Sequence, residues 1–198
     1  MNEESVYNGK SVSKEDINIL PIITYKGNIK VVQTENELRD ALDLLKDETV
    51  LGFDTEARPS FKKGKSYPTA LVQLASSQHV ILIRLSKVPL GELLVNILSC
   101  AKIIKAGVAI HEDIRLLQKL HPFEAEGIID IAEMARRLQL KAQGLRTLAA
   151  NILGCRVSKA VQCSNWEKKE LSPQQVLYAA TDAWVGRELY FKLLEMGA

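Results

Sequence analysis

The run Val50-Leu51-Gly52-Phe53 reads as a buried strand, yet it passes straight into Asp54 and Glu56. Strand side chains alternate, so the D-x-E spacing sets both carboxylates on one face of a sheet. Two such charges about 4 Å apart repel by roughly 4 kcal/mol at an effective dielectric near 20. A bound cation would relieve that repulsion. The triplet alone does not decide the matter, because Glu35-x-Glu37 and Glu124-x-Glu126 repeat it in a predicted helix and a polar turn. A strand-end pair facing water satisfies the same pattern.

Two further acids sit where water should be scarce. In "GVAIHEDIRLLQKL", Ile110, Asp113, Ile114 and Leu117 stand at i, i+3, i+4 and i+7, one helical face, while Glu112 falls off it. Asp113 therefore needs a partner, unless it only complements the helix dipole. In "SPQQVLYAATDAWV", Ser172 caps a helix, Pro173 takes its first turn and Gln175 completes a capping box. Tyr178 and Asp182 then share a face four residues apart, in apolar company. A core Asp hydrogen-bonded beside a packing Tyr is the plainer alternative.

Taken together, Asp54, Glu56, Asp113 and Asp182 form a more specific constellation than any one of them. Oxygen ligands of this kind suit magnesium or manganese rather than zinc. Two such ions about 3.5–4 Å apart support in-line displacement at phosphorus.

The surrounding elements must bring these residues together. "TENELRDALDLLK" is a predicted helix with Thr34 as N-cap and Glu37 in capping-box position. "TVLGFD", "TALVQLAS" and "HVILIRL" are predicted strands, the last two an antiparallel hairpin across "SSQ". A helix near 89–99, a strand at "KIIKAGV", a helix from about Ile110 and a short apolar segment at "GIID" follow, and the remainder is mostly helical. Strands interleaved with helices early and helices late imply an α/β fold, a mixed sheet with helices on both faces. One domain is expected over 17–198, after a loose polar tail over 1–16.

Composition sets the outer limits. The 198 residues are 46% hydrophobic, enough for a sizeable core, and the net charge of +2 announces no nucleic-acid partner by itself. Cys100, Cys155 and Cys163 are widely spaced, which argues against a zinc ribbon or disulfide framework and fits a reducing compartment. No apolar run reaches the roughly 18 residues that span a bilayer, and "MNEESVYNGKSVSKED" is unlike a signal peptide. The expectation is a cytoplasmic protein without a membrane partner.

"GFDTEARP", "KAGVAIHEDIRLL" and "CSNWEKKELSPQQVLYAATDA" together resemble the DEDD 3′–5′ exonucleases, in the subgroup with Tyr four residues before the last Asp. The resemblance runs from about Ile17 to the C-terminus. It is strongest to the Werner-syndrome exonuclease domain and its stand-alone bacterial relatives, with ribonuclease D a more distant cousin. It implies a ribonuclease H-like fold and hydrolysis of terminal phosphodiesters of DNA, releasing nucleoside 5′-monophosphates with two divalent cations, Mg2+ or Mn2+. It also implies roles. Asp54 would bridge both ions, Glu56 and Asp182 would complete the first site, and Asp113 would support the second through water. Tyr178 would orient the attacking water. Ala109 stands where some DEDD enzymes have Asn, as in the Werner-like version.

Substrate contacts are expected from Arg58, Lys62, Lys63 and Lys65 in the basic loop "ARPSFKKGKSYP", which would follow phosphates if it is more than a solvated lysine loop. Leu74 and Ile110 would line a base pocket. Trp166 would stack on a base or, the favoured reading, pack the helix. Ribonuclease D-like trimming of RNA and a non-catalytic nucleic-acid-binding module are the rival readings. Oligomeric state is not legible.

Overall fold

The computed structural model describes residues 13–62, 64 and 66–198. The tail expected over 1–16 lies outside these as far as residue 12. Residues 14–16 are the first turn of helix α1 (Lys14–Ile19), where Ser13 and Asp16 form a capping box.

Six strands build one sheet: β1 (Asn28–Val32), β2 (Val50–Ala57), β3 (Thr69–Ala75), β4 (His79–Arg84), β5 (Ile104–Gly107) and β6 (Ile128–Asp130). Their order is β1-β4-β3-β2-β5-β6. β3 and β4 form the expected antiparallel hairpin, β2 is antiparallel to β3, and β1·β4, β2·β5 and β5·β6 are parallel. A short turn joins β3 to β4, residues 58–68 join β2 to β3, and helices lie between β1 and β2, β4 and β5, and β5 and β6. β3 is buried along its whole length, Thr69 and Gln73 included, and covered on both faces.

The two faces are separated by the alternation of β2. Leu51 and Phe53 join Val72, Leu74, Ile81 and Ile83 in a core closed by α2 (Glu35–Asp43), α3 (Glu92–Leu98) and α4 (Ile110–Leu120). On the other face the long helix α7 (Pro173–Glu195) lays Ala179, Ala180 and Ala183 on Leu71, Ala75, Val80 and Leu82. Each large aliphatic side chain buried in these layers contributes about 1.5–3 kcal/mol. α7 begins with the capping box read from Ser172 and Gln175, with Pro173 in its first turn.

Gly52 sets how closely α7 approaches. A Cβ there would lie 2.0 Å from the Ala183 carbonyl oxygen, so only glycine lets the helix backbone rest against β2. Arg187 fastens the same contact from the next turn: its Nε donates to Val50 O at 3.2 Å and Nη2 meets Glu48 Oε2 at 3.3 Å.

Between β6 and α7 the chain forms α5 (Ile131–Arg137), the short α6 (Leu145–Leu148) and a π-helical turn over Ala149–Leu153. Among the described residues no helix is long and apolar enough to cross a membrane. The three cysteines are free.

Candidate metal centre

Asp54 and Glu56 project from the end of β2 on the face that α7 covers. One helical turn into the buried part of α7, Asp182 points back at them. Asp54, Glu56 and Asp182 each offer an oxygen, and these atoms all lie within 4.8 Å of one another. The pairing of β2 with β3 shifts register between Glu56 and Ala57, so regular pairing breaks off directly after the two acids. The extra residue, Ala70, stands on β3, and such a bulge bends the strand that carries it. Across the strand from Asp54 stands Gln73, fully buried, its amide without a hydrogen-bond partner.

The electrostatics show how burial and like charge act on this cluster. Burial raises Asp54 well above the usual carboxylate range, and Asp182 and Asp113 push it further. Burial and the neighbouring Asp54 drive Glu56 up to about 10. Asp182 rises to about 7 through burial, although a hydrogen bond from Tyr178 and the charge of Arg146 hold it back. Asp182 is 8% exposed and its Oδ1 has no hydrogen-bond partner. Three acids that resist ionisation, one of them with an oxygen that accepts no hydrogen bond, form a cluster of hard oxygen donors whose charged state a cation would stabilise. The residues therefore fit a divalent metal of the magnesium or manganese type.

Asp113 stands apart from this triad. It comes from the first turn of α4, on the Phe53 face of β2, and is held there by Thr55, whose Oγ1 donates to Asp113 Oδ1 at 2.6 Å. Burial raises Asp113 to about 6, and the Thr55 hydrogen bond works against that rise. Glu112 is exposed and paired with Arg115 at 2.9 Å, as its place off the apolar stripe implies. Thr55 went unnoticed in the sequence because it is the middle residue of D-x-E. The signal was there: the alternation that groups Asp54 with Glu56 sends Thr55 to the opposite face, where α4 packs.

Tyr178 lies one turn before Asp182 and is 9% exposed. Burial, then the charge of Asp182 and their hydrogen bond, raise its phenol far above the ordinary value, so it stays protonated. Its ring rests on Trp166, centroids 6.0 Å apart at 38°. Trp166 is 1% exposed and packs α7, which leaves no face for a base.

Leu74 and Ile110 need correction as base-pocket residues. Both are 0% exposed and lie in the core on the Phe53 face of the sheet, so they offer no surface to a ligand. Of the basic loop, Arg58 is exposed, pairs with Glu167 at 3.6 Å and sits 4.8 Å over the Tyr67 ring. Lys62 is exposed, and Lys63 and Lys65 lie outside the described residues. Arg58 and Lys62 border a cavity of about 470 Å³ with Tyr67, Cys163, Asn165 and Phe61, the last 89% exposed. The sequence reading passed over Phe61.

A second group, His111, Asp130 and Glu133, also clusters within 4.8 Å. There Asp130 Oδ1 already accepts from Ala109 N at 3.2 Å and Ala132 N at 2.8 Å, which closes the start of α5. That accounts for Asp130 as a helix cap.

Comparison with known proteins adds to this geometry. The chain is 31% identical over 207 residues to the bifunctional 3′–5′ exonuclease/ATP-dependent helicase WRN of Mus musculus, covering 98% of this chain and 14% of that protein. It is 31% identical over 168 residues to ribonuclease D of Haemophilus influenzae, covering 82% of this chain and 41% of that protein. The chain thus spans less than half the length of either. In fold it is similar to the Aedes aegypti Nibbler EXO domain, with a TM-score of 0.78 at 23% identity over 87% of this chain and 91% of that one. The 3′–5′ exonuclease family profile matches residues 29–198, a span that holds all four acids and Tyr178. The chain belongs to the 3′–5′ exonuclease family.

Proposed function

We propose that the chain is a metal-dependent 3′–5′ exonuclease that hydrolyses terminal phosphodiesters of DNA and releases nucleoside 5′-monophosphates. One observation carries this reading: in a chain of this family, Asp54, Glu56 and Asp182 converge around an unpartnered buried oxygen beside Tyr178.

Asp54, Glu56 and Asp182 would hold one divalent ion. Asp54 would also reach a second, which Asp113 supports from the other face of β2. When bound, the ions supply positive charge at the scissile phosphate, which eases loss of a proton from the attacking water and departure of the 3′ oxygen. Tyr178 stays protonated and so acts as a fixed hydrogen-bonding group that orients the water rather than as its base. The Thr55 hydrogen bond keeps the Asp113 carboxyl from turning away. Water attacks phosphorus, the P–O3′ bond breaks, and the shortened strand keeps a 3′ hydroxyl. Arg58 and Lys62 would follow the strand at its phosphates. Free cysteines suit the reducing cytoplasm in which we place the enzyme.

DNA as substrate is supported by the Werner-like motifs and by a match covering nearly the whole chain. A second reading, trimming of structured RNA, is favoured by the match to ribonuclease D. A 5′-labelled panel of RNA, single-stranded DNA and recessed duplex, in magnesium and in manganese, separates them. The expected result is a ladder that shortens from the 3′ end of DNA. Absence of shortening of any substrate by folded protein overturns the reading.

A further inference from the structure

A cavity of about 270 Å³ opens beside Tyr178 and Asp182 and is bordered by Arg146, Ser158, Lys159 and Gln162. None of these four belongs to the acid set or to the basic loop. Arg146 comes from α6 and is half-buried. Its Nε donates to the Val157 carbonyl at 2.9 Å, which fixes the plane of the guanidinium. No acid among the described residues forms an ion pair with it.

That isolation is informative. An arginine placed only to neutralise Asp182 would close to direct contact with it. Here the two stand on the border of one cavity, and the guanidinium keeps both Nη groups without a described protein partner. A pinned fork of donors facing a gap beside a metal-binding carboxylate matches the geometry of a phosphoryl oxygen. Lys159, exposed at the same rim, adds a second positive charge.

We propose that Arg146 is a phosphate-binding residue of the active site, holding a non-bridging oxygen of the scissile phosphate from the α6 side. The assignment deepens the exonuclease reading and rests on it. The scissile phosphate becomes the 5′-phosphate of the released nucleotide, so the contact persists in the product. Nucleoside 5′-monophosphate is therefore the ligand that reports on it, and a nucleoside lacking phosphate is the control.

The test compares the wild type with Arg146→Gln and Arg146→Lys in two measurements. The first is the salt dependence of kcat/KM on a labelled strand. Loss of one phosphate contact makes the plot of log(kcat/KM) against log[KCl] shallower by about 0.7 for a single strand. The second is the thermal stabilisation of folded protein by nucleoside 5′-monophosphate in magnesium, which needs no turnover. Arg146→Gln is expected to weaken nucleotide binding about tenfold or more and to leave binding of the nucleoside unchanged, with Arg146→Lys in between. An arginine that only ties α6 to the Val157 carbonyl would lower the melting temperature but leave both the salt slope and the nucleotide affinity at wild-type values. That outcome overturns the proposal. Should the wild type cut no strand, the exonuclease reading fails, and the nucleotide-binding comparison still decides the role of Arg146.

Discussion

Thr55 and Asp113 are joined by a 2.6 Å hydrogen bond that crosses from β2 to α4 on the face of the sheet opposite Asp54 and Glu56. The strand end thus divides its work. Its even-numbered acids meet α7, and the threonine between them holds the acid of α4. Thr55→Val keeps the shape of the side chain and removes the donor. A hydrogen bond to a charged group contributes about 1.5–3 kcal/mol, so activity should fall by about tenfold or more, with little loss of secondary structure. Steady-state rates on a labelled strand, beside circular dichroism, check this.

Asp54 illustrates how the site strains the protein when no metal is bound. Burial and two acidic neighbours oppose its charge. Asp54→Asn should abolish exonuclease activity yet raise the melting temperature in chelator, by about 2–4 °C for each kcal/mol of relieved repulsion. It should also remove most of the stabilisation that magnesium or manganese gives the wild type. An unchanged metal-induced shift would place the ion elsewhere.

The pH dependence follows from the same groups. Asp113 is raised to about 6, Asp182 to about 7 and Glu56 to about 10. Each folded-state value exceeds the unfolded one, so the folded chain binds more protons between about pH 4 and those values. Stability from these acids is full below the ordinary carboxylate range and declines as pH rises through 6, 7 and onward. Melting curves in chelator should show that decline, and divalent metal should stabilise progressively more as pH increases. A flat profile between pH 5 and 9 would contradict the raised acids.

Gly52→Ala tests the close approach of α7. The new methyl would meet the Ala183 carbonyl oxygen at 2.0 Å, and the helix must shift to admit it. Overpacking of this kind costs about 1–3 kcal/mol. Activity should fall further than stability predicts, because the shift draws Asp182 away from Asp54 and Glu56. Rates measured well below the melting temperature separate the two effects.

Tyr178→Phe keeps the ring on Trp166 and removes only the hydroxyl. The rate should drop by about 10–100-fold, the order of a lost hydrogen bond to a metal-binding carboxylate, while the metal-induced rise in melting temperature remains. Wild-type rates would remove Tyr178 from the mechanism.

Much of the site was legible because short-range periodicity carries it. Alternation grouped Asp54 with Glu56, helical spacing chose Asp113 over Glu112, and Ser172 with Gln175 marked the start of α7. The hairpin of β3 and β4 followed from two apolar runs around a short turn. What stayed hidden depends on contacts between distant segments. The parallel pairing of β1 with β4 leaves no local trace, and neither does the pressure of α7 on Gly52. Leu74 and Ile110 were misplaced for the same reason: apolar residues near a motif read alike whether they border a ligand or fill the layer behind the sheet. Arg146 was passed over because it sits far from every motif in sequence and reaches the site only through the fold.

The joining of Arg187 to Val50 spans 137 residues, and it ties the last helix to the strand that carries the first acids. A chain emerging from the ribosome holds Asp54 and Glu56 long before Asp182 exists, and until α7 docks no third carboxylate stands beside them. The acid triad is therefore assembled only once α7 has been made and docked.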